Sequence, residues 1–207
     1  MSNIALLPGG FKPPHIGHYD MALKFLKDSK ADKLIIFVGP KERDGITQEM
    51  SFKLWEIYTQ KISNIEIRQA GVSPVRDVYD FVEKEAPKGS EVYLGMGKKD
   101  SKDQRYANIN KFAEPRGINF DIKLITPQGG GISGTDMRGY IQSDDKELFK
   151  KGLPNHIDKD KAWNIVIGNI QEDLNEYGAD TSWEGEDGDK ITLEDILDLT
   201  KNIPIKN

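Results

Sequence analysis

Lys12, His15 and His18 lie within Pro8-Gly9-Gly10-Phe11-Lys12-Pro13-Pro14-His15-Ile16-Gly17-His18, and they are the densest group of side chains able to stabilise an anion. A second group, Ser133, Thr135 and Arg138, follows the glycine run Gly129-Gly130-Gly131. A helix is expected to begin at Ser133 and Thr135, whose hydroxyls can either cap it or bind phosphate oxygens; the loop before them has no side chains to obstruct a polyphosphate, and the guanidinium one turn on can reach it with a forked pair of bonds. The chain has no cysteine, so thiolate nucleophiles, thiolate metal sites and disulfides are excluded and a reducing compartment is permitted. Two histidines three apart, with no third ligand beside them, are insufficient for zinc. The chemistry open to these residues is therefore to hold and neutralise phosphate.

The elements that must position them follow from periodicity. Ile4-Ala5-Leu6-Leu7 is an apolar run suited to a strand buried on both faces, and the glycines and prolines after it forbid its continuation. Tyr19, Ala22, Leu23 and Leu26 then fall at helical spacing, which predicts a helix with both histidines in its first turn. Unpaired N–H groups there, with the helix dipole, are expected to face an anion. Leu34–Val38 predicts a second buried strand, and Thr47 a cap for the next helix. Between them, Lys41 and Arg43 belong to a charged loop that either is simply solvated or holds a second substrate's phosphate. Ile65–Ala70 alternates, as expected near a sheet edge; Ser73-Pro74 opens another helix, and Phe120–Ile125 gives a fifth strand. The fourth strand ends in Gly95, Gly97 and Asp100, where small residues admit a planar base and Asp100 can bind a base or ribose donor, although a plain turn needs the same glycines. The expected fold is α/β: a Rossmann-like open parallel sheet of about five strands with helices on both faces and ligands at the carboxyl ends of the strands.

Charge divides the chain. Residues 1–157 carry 24 Lys and Arg against 21 Asp and Glu, and residues 158–207 carry 5 against 13. The expected organisation is a catalytic domain over 1–157 and an acidic, mainly helical extension over 158–207, with Trp163, Val166, Ile167, Ile170, Leu174 and Tyr177 as an apolar stripe that must pack on the domain or on a partner subunit. The acidic run from Asp180 to Asp189 fits a calcium loop poorly. So mild a positive balance in the body is no nucleic-acid footprint. No apolar run is long enough to span a membrane, and the amino terminus has no secretory pattern, so a cytoplasmic protein without membrane or nucleic-acid partners is expected, with a homo-oligomer possible.

Gly9 to His18 resembles the glycine, aromatic, proline, His-x-Gly-His signature of the nucleotidyltransferase superfamily, and Gly131-Ile132-Ser133-Gly134-Thr135-Asp136-Met137-Arg138 resembles its Ile-Ser-Ser-Thr-x-x-Arg segment. The resemblance covers about residues 3 to 157. In motif style it is closest to nicotinamide-mononucleotide adenylyltransferases, departing from archaeal members at Gly10, where they usually have arginine, and at Lys12, where they usually have glutamine. It implies that a phosphorylated small molecule attacks the α-phosphorus of a nucleoside triphosphate, with ATP favoured over CTP, and that pyrophosphate leaves. His15, His18, Lys12 and Arg138 would then act on the phosphates as catalytic residues. Gly9, Gly10, Phe11, Gly17, Gly95, Gly97, Asp100, Ser133 and Thr135 would border the nucleotide, and Lys41 and Arg43 the acceptor. Mg²⁺ would be held mainly through the substrate phosphates, with no protein metal site. The favoured acceptor is nicotinamide mononucleotide. The alternatives are a cytidylyltransferase acting on a phospho-sugar or phospho-alcohol, and a non-catalytic nucleotide-binding module acting through its acidic tail.

Overall fold

Every residue from Leu34 to Val38 is apolar and buried, as in a strand covered on both sides. In a computed structural model of the chain, which describes residues 2–97, 104–126 and 131–168, it lies within an all-parallel sheet of five strands. These are β1 (Asn3–Gly9), β2 (Lys33–Val38), β3 (Ile65–Gln69), β4 (Glu91–Gly97) and β5 (Asn119–Ile125), in the order β3-β2-β1-β4-β5. The alternating segments are the edges: β3 has no fully buried residue, and β5 exposes Ile122 and Leu124.

Strand alternation sorts the side chains into two cores. Ala5, Leu7, Leu34, Ile36 and Val38 face α1 (Ile16–Asp28) and α2 (Gln48–Thr59), while Ile4, Leu6, Ile35 and Phe37 face the layer of α3 (Pro74–Asp80) and α4 (Asn110–Ala113). The expected caps form: Thr47 Oγ1 accepts from Met50 N–H at α2, and Ser73 Oγ from Arg76 N–H at α3. After Asp80 the helix widens into a π-turn over Phe81–Glu85.

Three further helices complete the first core: α5 (Gly134–Gln142), α6 (Lys146–Lys151) and α7 (Lys159–Val166). Composition shifts at residue 158, but the packing continues through it. Ala162, Trp163, Ile165 and Val166 of α7 are buried with Leu54, Trp55, Tyr58 and Phe149, and Trp163 meets Phe149 edge to face at 5.3 Å. The compact unit includes every described residue through Gly168. The rest of the acidic stretch, including Ile170, Leu174 and Tyr177 of the expected stripe, lies outside the described residues. Among those described, no helix is long and apolar enough to cross a membrane.

Trp163→Ala removes a buried aromatic that joins α7 to α6 and should cost about 3–5 kcal/mol. Chemical denaturation of the full chain measures this, and a midpoint equal to wild type would show that α7 is dispensable to the core.

Candidate active site

Winding changes direction between β1 and β4, which opens a crevice at the carboxyl ends of the strands. Beside it β1 and β2 approach closely, Gly39 N–H donating to the Gly9 carbonyl at 2.8 Å. The loop after β1 then turns sharply, because Phe11 has a left-handed φ of 50° and its ring folds back over Gly9. A Cβ at Gly9 would lie 2.6 Å from that ring, so glycine is required here by the neighbouring aromatic. Phe11 meets Trp55 and His18 edge to face, at 5.3 and 5.2 Å. The buried Tyr58 hydroxyl donates to the Pro14 carbonyl, so α2 fixes the far end of the loop.

The bookkeeping at the start of α1 differs from the expectation of free N–H groups. Ile16 N–H donates to the Gly152 carbonyl, Gly17 N–H to His15 Nδ1, and the His18 and Tyr19 N–H groups to the His15 carbonyl. The backbone is satisfied by protein, and α1 presents side chains instead. At α5, by contrast, the Gly134 and Thr135 N–H groups take no partner among the described residues. Ser133 caps that helix with Asp136 in a reciprocal box, its hydroxyl donating to the Asp136 carboxylate and accepting from Asp136 N–H. Capping thus occupies the Ser133 hydroxyl, while Thr135 lines the cavity.

His15 is the α1 N-cap rather than a residue of its first turn. Because its Nδ1 accepts from Gly17 N–H, the neutral ring carries its proton on Nε2 and is a donor there. Burial pushes its pKa down to about 4, against a smaller upward pull from Asp136. The His18 ring lies 3.9 Å from that of His15, centroid to centroid. Desolvation, and then the neighbouring imidazole, push its pKa down to about 3. Among the described residues its buried Nδ1 has no hydrogen-bond partner. Both rings are neutral near pH 7 and bring no cationic charge, and His15 has its N–H at Nε2.

Lys12 is buried and donates from Nζ to the Gly39 carbonyl at 2.8 Å; burial lowers its pKa to about 8. Arg138, also buried, donates from Nη1 to the Lys12 and Gly134 carbonyls at 2.7 and 2.8 Å, from Nη2 to Thr135 Oγ1 at 3.2 Å, and from Nε to Asp44 Oδ2 at 2.6 Å. The expected open fork is therefore largely occupied by the protein itself. A Cβ on Gly134 would crowd Arg138 Nη1 at 3.3 Å and the Lys12 carbonyl oxygen at 3.4 Å, so this glycine is what lets the two segments meet.

Around these groups lies an open cavity of about 600 Å³, lined by Gly10, Phe11, Lys12, His18, Lys41, Glu42, Arg43, Gly134, Thr135 and Arg138. Eight candidates chosen from sequence thus line one cavity, with His15 against the His18 ring, Gly9 under Phe11 and Gly17 bonded to His15. Gly95 and Gly97 do not line it. A Cβ at Gly95 would meet Phe25 at 2.8 Å and Ile125 at 2.9 Å, so packing accounts for that glycine. Asp100, Gly129 and Gly130 lie outside the described residues. Sequence reasoning missed Glu42 and Asp44 in this setting, although the Asp44-Gly45 pair is itself a tight-turn signal. Four cations against Glu42 and Asp44 make the surroundings net positive, which suits a polyanion. Among the described residues no group of three metal-ligating side chains could hold a metal ion.

No protein-family model matches the sequence, and no curated protein matches it. The fold does have solved relatives. The chain is similar to Plasmodium falciparum nicotinic acid mononucleotide adenylyltransferase complexed with NaAD, with a TM-score of 0.58 at 15% identity over 86% of this chain and 100% of that one. The same protein complexed with APC gives 0.55 at 12% identity, again over 86% and 100%. Thermotoga maritima TmcAL bound with alpha-thio ATP gives 0.50 at 14% identity, over 83% of this chain and 56% of that one. At such identities the shared property is the fold, an α/β Rossmann-like architecture.

Two outcomes are expected. Gly95→Ala should destabilise by about 1–3 kcal/mol through overpacking against Phe25 and Ile125, read as a lower thermal midpoint; an unchanged midpoint would remove the packing explanation. The second concerns acid. Both histidine pKa values lie below the unfolded value near 6.5, so between about pH 6.5 and 3 the folded chain binds fewer protons than the unfolded one and stability falls as pH drops. His18→Gln should flatten that slope in urea midpoints measured from pH 6.5 to 4, and an unaltered slope would place the titration elsewhere.

Proposed function

We propose that this chain is a nucleotidyltransferase that moves a nucleoside monophosphate, AMP from ATP, onto a phosphorylated small molecule and releases pyrophosphate. The observation that carries this reading is the meeting of Lys12, His18, Thr135 and Arg138, from two motifs far apart in sequence, in one net-positive cavity at the carboxyl ends of the strands. The shared fold supports it, since those solved relatives are described with NaAD, APC and alpha-thio ATP. Nicotinamide mononucleotide, or its acid counterpart, is the favoured acceptor.

In this reaction an acceptor phosphate oxygen forms a bond to the α-phosphorus while the bond from that phosphorus to the bridging oxygen of the β-phosphate breaks. The attacker is already an anion, so no protein nucleophile or base is required, and catalysis comes from positioning and charge neutralisation. His15 and His18 donate from Nε2 to phosphate oxygens as charge moves toward the leaving group. Their neutrality suits this role, because a neutral donor strengthens its bond as the oxygen gains charge without first trapping the substrate. Thr135 and the two N–H groups of α5 that have no partner among the described residues receive the outer phosphates, with Arg138 beside them. Lys41 and Arg43 flank the acceptor side. Mg²⁺ enters as part of the nucleotide substrate, coordinated mainly by phosphate oxygens.

His18→Ala should lower turnover by about 10²–10³, by analogy with loss of one transition-state donor. Pyrophosphate release is measured with ATP and with CTP against nicotinamide mononucleotide, its acid form, pantetheine phosphate and phospho-sugars. Turnover unchanged in the variant would sink the assignment of His18, and ATP binding with no release across the panel would favour the non-catalytic module.

A further inference from the structure

Among the described residues four of the five N–H groups of Arg138 have protein partners. The two on Nη1 are bonded to the Lys12 and Gly134 carbonyls, which fix the guanidinium in place. The Nε–Nη2 edge is the pair of parallel donors that phosphates and carboxylates take with two oxygens. On that edge Thr135 Oγ1 meets Nη2 at 3.2 Å, and the Asp44 carboxylate meets Nε through one oxygen at 2.6 Å. An anion of the same chain therefore already sits on the edge where a ligand's anion would bind.

Asp44 is held there by a built turn. Arg43 and Ile46 exchange both backbone hydrogen bonds, at 3.1 and 3.0 Å, and Asp44 and Gly45 between them have φ of 49° and 80°. Positive φ at both central positions is the primed turn that Asp-Gly favours. Ile46 is buried and anchors the base, while the tip stands in solvent. The exposures of the pair are unequal: the Asp44 side chain is 49% exposed and that of Arg138 6%. The carboxylate keeps much of its hydration and can leave at little cost, whereas the buried guanidinium, once left, needs another anion.

We propose that Asp44 is a specificity-determining residue: its carboxylate occupies the anion seat on Arg138 and is replaced there by the polyphosphate of the nucleotide. This rests on the nucleotide reading of the cavity. A ligand enters the seat only if it brings enough negative charge to displace a carboxylate and cover the cation left behind. The seat thereby disfavours weakly charged ligands.

The test is titration calorimetry with inorganic tripolyphosphate and with ATP on the wild type, Asp44→Asn and Asp44→Ala. Both variants should bind tripolyphosphate about fivefold more tightly or better, with alanine at least equal to asparagine. Glu42→Gln removes the same charge from the same loop without touching Arg138, and it should give a clearly smaller gain. An Arg138→Gln background should abolish the Asp44→Ala gain. Weaker binding by Asp44→Ala with wild-type binding by Asp44→Asn would overturn the proposal, because Asp44 would then orient Arg138. Affinity unchanged in both variants, or a gain equalled by Glu42→Gln, overturns it as well. Failure of the nucleotide reading has its own signature: neither probe binds any of the three proteins, and the inference falls with it.

Discussion

The site depends on one guanidinium. Arg138 donates to the carbonyl of Lys12 from the first motif, to Gly134 and Thr135 at the start of α5, and to the carboxylate of Asp44 in the turn after β2. These groups come from three stretches that share no local sequence, and no other side chain among the described residues bonds all three. A buried arginine without partners is costly, so each partner is bound by the need to satisfy it. Lys12 repeats the arrangement on a smaller scale, since its ammonium holds the carbonyl of Gly39 at the end of β2. The two cations of the cavity floor are therefore structural ties as well as charges.

Around those ties the histidines are set as neutral rings. His15 closes the start of α1 with the ring nitrogen that accepts, which leaves the other nitrogen protonated, and His18 lies against it with Phe11 at its edge. Two imidazoles so close resist gaining charge together. Positive charge in the cavity thus resides on lysine and arginine, while the rings contribute direction.

Elements set by local pattern were legible in the sequence. The five strands, the caps at Thr47, Ser73 and Ser133, and the grouping of His18, Lys12, Thr135 and Arg138 follow from periodicity, cap chemistry and two motifs. What was not legible depends on distant partners. Free N–H groups at the start of α1 were a sound local expectation, yet Gly152, far along the chain, supplies a carbonyl to Ile16. The open fork expected of Arg138 failed for the same reason, its Nε partner lying 94 residues away. Gly95 shows a subtler limit: a glycine at a strand end fits either a ligand or a crowded core, and only the positions of Phe25 and Ile125 decide between them.

The contact of Phe11 with both Trp55 and His18 links the core to the cavity wall. Trp55 is fully buried, and a single phenyl ring separates its indole from the imidazole at the cavity wall. A displacement of the His18 ring is passed through Phe11 to the surroundings of that indole, because close-packed interiors transmit small shifts. One of the chain's three tryptophans therefore stands one ring away from the cavity, where its surroundings are coupled to the packing of the wall.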